Sequence, residues 1–397
     1  MKRITALPVA GDAYLLETSD HVVLVDGGYS GAKLHKALAG ILPGIKHIDI
    51  VICTHADNDH AGGLTDFLSK TNLTVGEFWL PGSWAEPARD LLADPGAVMR
   101  ELMKEVTDEH TDLPKQLSAD NAADIDTVLD LLRQEADDFK PRQDEHREAF
   151  TPDQPQFPYG RFTRRGAAVT FGKAKRLLQN KARPGSVASR AMTLIETAER
   201  IRKIAENARN NHIPVRWFDY SEFRRTRVSA GGTRFLVPVN SVELVTPPAL
   251  AGRVTRFVQL SRANRECLVF HSLSEHGEMS VLFSGDSPLG DGPGYATSFL
   301  DHRLGNRPLV VTAPHHGSES NAIAYTHIAK LCKPDYWIRS GKGAIPGPTF
   351  RSIDPAERAC TQCPHAKHEV RHASITDWYP RQDPAAWMVV RSNDCNC

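Results

Sequence analysis

Four side chains that could bind a divalent metal lie close together in residues 54–63, THADNDHAGG. They are His55, Asp57, Asp59 and His60. Imidazole nitrogen and carboxylate oxygen are ligands that zinc and harder divalent ions take in proteins. Burying four such groups without a metal would leave each with an unfavourable desolvation energy. The segment therefore predicts a metal site, and the alternative is a polar turn with a chance pair of histidines.

Two further polar motifs follow apolar runs later in the chain. Asp286 ends the sequence VLFSGD, and His315 and His316 follow VVTAP. Each motif alone is typical of a turn or a structural histidine pair. In this order after the first segment they strengthen the prediction of a metal site, and Asp26 in VLVDGG fits the same scheme.

These motifs together resemble those of the metallo-β-lactamase superfamily. VLVDGG resembles its first motif, THADNDHAGG its histidine signature, LFSGD its bridging aspartate and PHHGS its last histidine motif. Aspartate at Asp57, in place of the middle histidine, and the HHGS form of the last motif are similar to the hydrolase domain of the ComEC/Rec2 DNA-uptake proteins. The resemblance covers residues 1–83 and about 213–345, and it implies the α/β class with an αββα sandwich.

The resemblance implies a hydrolase that uses two divalent ions, zinc or manganese. It assigns ligands as follows: His55 and Asp57 to one ion, Asp59 and His60 to the other, Asp286 as the bridge, and His316 completing the site. Asp59 would also orient the attacking water. His315 would protonate the leaving group or take the place of His316 as a ligand, while Asp26 would support the ligands by hydrogen bonding.

The third motif of the family, which often supplies a ligand histidine, has no secure counterpart here. Asn264 and His271 are the nearby candidates. Just past the histidine pair, Ser318 and Asn321 are candidates to hydrogen-bond a phosphate oxygen. The alternative is that they cap the next helix, because Ser and Asn are favoured at helix N-termini.

Hydrophobic patterning predicts the elements that must position these residues. A chain of 397 residues is long enough for two to three domains, or for one domain with a large insertion. The predicted divisions are two halves of the sandwich at 1–84 and 213–350, a charged helical insertion at 85–212, and a Cys/His-rich tail at 351–397. The apolar run 48–53 predicts a buried strand, and 61–68 a helix.

The charges of the insertion are sorted along the chain. Residues 86–153 hold 19 acidic and 8 basic side chains, whereas residues 154–195 hold nine Lys or Arg and no acid. Aromatic residues interleave with the basic ones, which favours nucleic-acid binding, with Arg164, Arg165 and Arg176 as candidate contacts. The alternative is that the basic run pairs with the acidic one. A partner protein or a regulatory protease could also act through this insertion.

Cysteines concentrate near the end of the chain. Cys360, Cys363, Cys395 and Cys397 form a CxxC and a CxC pair. Four thiolates in such pairs predict an additional, structural zinc. Free surface thiols and a redox pair are the alternatives.

Composition narrows the class of protein. The 48 basic and 48 acidic residues and the 41% hydrophobic content exclude a disordered chain and a histone-like protein. The apolar runs fall short of the roughly 18 residues that a membrane helix needs, and an odd number of cysteines favours a reducing cytoplasm. Composition thus favours a cytoplasmic protein without a membrane partner. The resemblance and the basic run of the insertion add the expectation of a metal-dependent phosphodiesterase, most simply a nuclease for DNA or RNA, and we consider a role in bacterial antiviral defence. The alternatives are a hydrolase of small esters, lactones or thioesters, and a non-catalytic scaffold.

Overall fold

Two β-sheets and nine helices make up the described part of the computed structural model. The structure describes residues 1–70, 73–111, 164–179, 182, 187–245, 266–274, 278–301, 304, 308–341, 345–361, 372–378 and 388–391. The chain divides into two compact units. One comprises the described residues of 1–82, 213–245 and 263–397, and the other those of 83–212.

The strands and helices follow one another along the chain with these bounds. The strands are β1 (Arg3–Ala6), β2 (Tyr14–Glu17), β3 (Val22–Val25), β4 (His47–Ile52), β5 (Thr74–Pro81), β6 (Val215–Asp219), β7 (Leu236–Pro238), β8 (Val242–Leu244), β9 (Phe270–Ser272), β10 (Ser280–Phe283), β11 (Gly290–Asp291), β12 (Thr297–Ser298), β13 (Leu309–Thr312), β14 (Tyr336–Arg339), β15 (Arg358–Cys360), β16 (Ala373–Trp378) and β17 (Met388–Arg391). The helices are α1 (Gly31–Ile41), α2 (Asn58–Ala61), α3 (Ala85–Ala93), α4 (Pro95–Thr111), α5 (Arg164–Gln179), α6 (Val187–Asn210), α7 (Tyr220–Thr226), α8 (Ala322–Leu331) and α9 (Pro348–Arg351).

Each of the two large sheets contains a parallel segment. The first has the order β17-β16-β1-β2-β3-β4-β5-β6-β8, and the second β15-β14-β13-β10-β9-β7; β11 and β12 form a separate ribbon. Strands β3 to β6 run parallel, as do β10, β13, β14 and β15. The loops that follow parallel strands meet at one edge of a sheet, which is where side chains for a site can be brought together.

The two sheets pack face to face around an apolar core. Ile50 and Ile52 of β4 point to the same side, because side chains two residues apart in a strand share a face. They join Phe270 and Phe283 of the second sheet in one buried cluster. Trp79 packs against Phe270 with ring centroids 5.3 Å apart. This is the mixed α/β fold predicted from the sequence.

A helix covers the outer face of the second sheet. Ala324 and Ile328 of α8 lie in a second buried cluster with Val311 of β13. Tyr325 of the same helix stacks on Trp337 of β14 with ring centroids 4.9 Å apart. This helix follows directly after the loop that carries the histidine pair, so its packing fixes the position of that loop.

The predicted helix over 61–68 forms only in part. The helix α2 ends at Ala61, and a 3₁₀ turn covers Gly62–Thr65. Gly63 lies so close to Gly27 that a Cβ on Gly63 would collide with the carbonyl oxygen of Gly27. The backbone approach that brings Asp26 to the histidine signature therefore breaks the regular helix.

The segment 351–397 contributes to the sandwich itself, which corrects the predicted boundary at residue 350. Strand β15 pairs with β14, and β16 pairs with β1 and with β17. Cys360 lies in β15 and is buried in the second apolar cluster. The other three candidate zinc ligands, Cys363, Cys395 and Cys397, lie outside the described residues.

The second unit is helical in its described part. Helices α3, α4 and α5 each contact the 24-residue helix α6. Residues 112–163 of the predicted insertion lie outside the described residues. Arg164 and Arg165 begin α5, and Arg176 is exposed on it. Of the helices described, none combines the length and the apolar character required to cross a membrane.

Candidate metal centre

Four loops that follow strands of the parallel segments, together with the loop of Asp12 between β1 and β2, supply the candidate centre. Asp26 comes directly after β3, and His55 follows β4. Asp286 follows β10, and the pair His315 and His316 follows β13. All these strands are parallel to a neighbour in their sheet, so their carboxyl ends carry the site.

One group of possible ligands consists of His55, Asp57 and Asp286. Their ligand atoms all lie within 4.8 Å of one another. The Nε2 atom of His55 lies 3.7 Å from an oxygen of Asp57 and 3.7 Å from an oxygen of Asp286. These are the two residues predicted for one ion together with the predicted bridge.

A second group consists of Asp12, His60, Asp286 and His316, also within 4.8 Å of one another. The Nε2 atom of His60 is 3.1 Å from Asp286 Oδ1. The Nε2 atom of His316 is 3.9 Å from that same oxygen and 2.8 Å from Asp59 Oδ2. Asp286 is thus the residue that the two groups share.

The inner nitrogen of each of the three buried histidines is already held. His55 Nδ1 lies 3.0 Å from Thr54 Oγ1, His60 Nδ1 lies 2.8 Å from Asp26, and His316 Nδ1 lies 2.8 Å from Asp12. Because one nitrogen of each ring is fixed by a hydrogen bond, the Nε2 atom of each ring is directed toward Asp286. Held histidines of this kind are typical of metal ligands, whose second ring nitrogen is almost always hydrogen-bonded.

Several atoms that face the centre are buried without a hydrogen bond to any described residue. They are His55 Nε2, Asp57 Oδ1, and the pair His60 Nε2 and Asp286 Oδ1, which lie 3.1 Å apart without the geometry of a hydrogen bond. Buried polar atoms normally find a partner, and leaving them unsatisfied is unfavourable. Imidazole nitrogens and carboxylate oxygens converging on one point are a donor set that divalent ions take. The residues present therefore fit a pair of divalent ions that share Asp286.

Asp26 supports the centre from behind. It accepts hydrogen bonds from the backbone N–H of Thr54 at 2.8 Å and from Thr54 Oγ1 at 2.7 Å, and it holds His60. Its backbone is left-handed, with φ of 60°. Asp26 thereby links the inner sides of His55 and His60, since Thr54 contacts both Asp26 and His55. Asp26 belongs to neither group of possible ligands.

Asp12 belongs to the candidate centre, although the motifs did not reveal it. Its carboxylate is 1% exposed and contacts His316 Nδ1, while its backbone N–H donates to the carbonyl of Asp59 at 2.8 Å. Its signal in the sequence, a lone aspartate before a strand, is too common to single out. Behind His316, the buried Arg339 donates through Nε to the carbonyl of His316 at 2.6 Å.

The histidine pair sits in an unusual backbone. His315, His316 and Gly317 all have left-handed φ values, of 49°, 54° and 77°. Left-handed backbone conformations are unfavourable for residues other than glycine. They persist where contacts with the surrounding chain hold the backbone in place. Here the carbonyl of Gly317 also accepts a hydrogen bond from Gly347 at 2.7 Å. The loop is thus held in a shape that turns both imidazoles toward Asp286.

The electrostatics follow from burying carboxylates beside imidazoles. Burial alone raises the pKa of Asp286, but the neighbouring His60 and His316 outweigh it and hold the pKa well below its usual value. Burial lowers the pKa of His60, while Asp286 and Asp26 raise it well above its usual value. For His316, the charge and hydrogen bond of Asp12, with the contributions of Asp59 and Asp286, overcome burial and raise the pKa to about 9.

The remaining predicted residues take varied positions. His315 approaches Asp286, with Nε2 3.4 Å from an oxygen of that residue. Ser318 caps a short 3₁₀ turn, and the buried Asn321 donates to the carbonyl of Ser287 at 2.9 Å. His271 lies buried in β9 and belongs to neither ligand group, and Asn264 lies outside the described residues.

A comparison with curated proteins finds no match to this chain. The model of one protein family matches residues 6–147, a range that contains the whole histidine signature but neither Asp286 nor the histidine pair. That family is the Metallo-beta-lactamase superfamily, and the match together with the buried His/Asp cluster indicates a metal-dependent hydrolase.

Proposed function

We propose that the protein is a dinuclear metal-dependent phosphodiesterase that acts on nucleic acid. The observation that carries this proposal is the shared position of Asp286 between two groups of possible ligands. A carboxylate between two sites allows two cations to lie side by side. Such a pair suits a phosphodiester, because it opposes the negative charge that grows on the phosphoryl oxygens in the transition state.

The two groups of possible ligands suggest which residues would hold the ions, and they differ from the motif-based assignment because they contain Asp12 and not Asp59. His55 and Asp57 face one position, and His60 and His316 face the other, with Asp286 between them. When bound, divalent ions supply a lowered pKa for water and electrostatic stabilisation of the substrate's charge. Asp59, whose oxygen lies 2.8 Å from His316 Nε2, is placed at the second position either to ligate or to orient the attacking water.

His315 is the histidine best placed to handle a proton. Its side chain is 28% exposed, compared with 6% for His316, so it reaches solvent and an incoming substrate. A general acid must lie within hydrogen-bond reach of the leaving oxygen. We assign His315 to protonate that oxygen, and His316, enclosed by Asp12 and Asp59, to the metal.

Hydrolysis assays with defined metals test the proposal. The full chain is stripped of metal, reloaded with Mn²⁺, Zn²⁺ or Mg²⁺, and offered bis(p-nitrophenyl) phosphate, single-stranded DNA, RNA and p-nitrophenyl acetate. Phosphodiester cleavage should depend on the added metal and fall at least ~10²-fold in Asp286→Asn, because the shared ligand is lost. The matched control Asp90→Asn removes an exposed carboxylate on α3 and should retain full activity.

Two results would overturn the proposal. Cleavage of the acetate ester far above any phosphodiester would favour the small-ester hydrolase instead. The absence of bound metal by elemental analysis, with no hydrolysis of any substrate, would favour a scaffold with a vestigial site.

A further inference from the structure

A run of arginines lies in the same unit as the metal centre. Residues 220–234 contain Arg224, Arg225, Arg227 and Arg234. They begin with α7, which follows β6 directly. Since β6 is parallel to β5 and β5 to β4, α7 starts at the same edge of the sheet as the loop of His55. Two strand spacings separate β4 from β6, which is about 10 Å.

Contacts tie this arginine segment to the loop after Asp286. Arg227 forms an ion pair of 2.7 Å with Asp291, which follows Asp286 by five residues. Phe223 packs edge-on against Phe299, in the same connection, with ring centroids 5.7 Å apart. An ionic and an aromatic contact therefore fix the segment against the connection that follows Asp286.

A surface pocket of about 350 Å³ opens between α7 and Glu266. It is lined by Tyr220, Ser221, Arg224, Arg225 and Glu266. Its volume falls at the lower end of the range typical of small-ligand sites. A pocket of this volume is about the size of one nucleotide.

Glu266, on one side of the pocket, is close in sequence to a residue that packs against the loop of Asp286. Glu266 is followed by Cys267, whose sulfur lies 2.5 Å from the position a Cβ on Gly285 would take, and Gly285 precedes Asp286. The pocket and the bridging carboxylate are thus joined by a short stretch of packed chain.

The arginines of the pocket are available to a ligand. Arg224 is exposed and has no hydrogen-bond or ion-pair partner among the described residues. Arg225 is 71% exposed, and its pairing is with Glu222 on the same helix. An exposed pair of this kind contributes little free energy and is easily exchanged for a stronger anionic partner. Guanidinium groups bind phosphate oxygens in a fork geometry, which makes arginine suited to such a partner.

We propose that this pocket is a substrate subsite that binds the phosphodiester backbone of a nucleic-acid strand next to the scissile bond. The inference rests on the proposed function, and it adds the place at which the protein binds the strand. Glu266 in the same pocket favours a diester with one negative charge over a terminal phosphate with two, because like charges repel. The basic residues Arg164, Arg165 and Arg176 of the helical unit are not required for this contact.

Binding of a strand that resists hydrolysis tests the subsite. A fluorescent single-stranded phosphorothioate DNA 12-mer is titrated with metal-loaded full-length protein over a range of salt concentrations, with anisotropy as the readout. In Arg224→Ala/Arg225→Ala, Kd should rise at least about tenfold, because a hydrogen bond to a charged group is lost at each position. The slope of log K against log salt should also shrink by about 1.4, since each phosphate contact on a single strand contributes about 0.7.

The matched control is Lys330→Ala. Lys330 is exposed in the last turn of α8, about 12 Å along the helix from its start beside the histidine loop. The Lys330→Ala substitution removes a positive charge from the same unit, and it should leave Kd and the salt slope as in the wild type. An uncharged methylphosphonate strand should bind weakly to all three proteins.

The outcomes separate the subsite from the reaction. Hydrolysis of bis(p-nitrophenyl) phosphate, which lacks the neighbouring phosphates of a strand, should fall far less in the double arginine variant than cleavage of an unmodified DNA 12-mer. If wild type binds the strand through the arginines but cleaves no phosphodiester, the subsite stands and the proposed function fails. Wild-type affinity and slope in the double variant, or no binding by the wild type, would overturn the subsite.

Discussion

Raising the pH should destabilise the metal-free protein, because the buried imidazoles of its centre are protonated and form ion pairs with neighbouring carboxylates. His316 lies between Asp12 and Asp59 with both ring nitrogens 2.8 Å from a carboxylate oxygen. Its pKa is raised to about 9 in the folded protein, from 6.5 as the ordinary value. A pKa raised by folding means that the charged form stabilises the native state.

The sign and size of the effect follow from linkage. The stabilisation by His316 is complete below pH ~6.5 and is lost as the pH rises through about 9. Between these two values the loss amounts to about 3 kcal/mol, at ~1.36 kcal/mol for each pH unit. The pKa values of His55 and His60 are raised as well, so they act in the same direction.

Urea unfolding in the presence of a chelator measures this loss. Tryptophan fluorescence reports on the sandwich, because Trp79, Trp217 and Trp337 lie in its sheets. The free energy of unfolding should fall between pH 6.5 and 9 in wild type, and should fall by about 3 kcal/mol less in His316→Gln. Metal-loaded protein should not lose stability over this range, since a metal replaces the proton on each ligand nitrogen. An unchanged stability of the metal-free wild type would refute the assigned charge state.

Three further predictions concern residues placed in or near the sites. Asp286→Ala and Asp59→Asn should each lower turnover at least ~10²-fold while the protein stays folded by circular dichroism, and full activity in either variant would contradict its role. Asp12→Asn should weaken metal binding about 10- to 100-fold in a chelator competition, because His316 loses the carboxylate that orients it. Asp12→Glu keeps a carboxylate and should restore part of the lost metal affinity. Cys363→Ser should remove one zinc per chain by elemental analysis and keep the catalytic metals, whereas an unchanged zinc count would mean that Cys363 binds no structural zinc.

The part of this candidate site that could be predicted from the sequence consists of residues in short motifs. The residues from His55 to His60 lie on one loop after a buried strand, so local pattern alone brings them together. Asp286 and His316 could be added because each also ends an apolar run. What these residues share is a position at a strand end, which is visible without knowing how the sheets pair.

Asp12 could not be found in the same way, because its role depends on contacts between loops. The chain before it passes so close to the signature that a Cβ on Gly11 would collide with the carbonyl oxygen of Asp59. Only this approach carries the carboxylate of Asp12 to His316, 304 residues away in the chain. Hydrophobic periodicity carries no information about such a pairing.

The strands near the end of the chain were hidden for a related reason. Strand β16 pairs with β1, so Ile375 lies opposite Ile4. The two strands are separated by almost the whole chain, and the Cys and His residues between them indicated a tail rather than a sheet edge. Strand formation depends on neighbours and burial as much as on local composition.

The balance of ligand types in the centre decides which metal it prefers. Carboxylates are hard ligands suited to manganese, whereas imidazole is better suited to zinc. Asp57 has one oxygen 3.7 Å from His55 Nε2 and another without a hydrogen-bond partner among the described residues, and it stands where the motif that this segment resembles has histidine. Asp57→His should therefore raise the ratio of zinc to manganese affinity at least about tenfold, whereas Asp57→Asn should weaken both ions. Competition with a chelating dye measures both affinities without reference to activity. An unchanged ratio in Asp57→His would show that Asp57 does not face the metal, and that the group of His55, Asp57 and Asp286 is held together by hydrogen bonding alone.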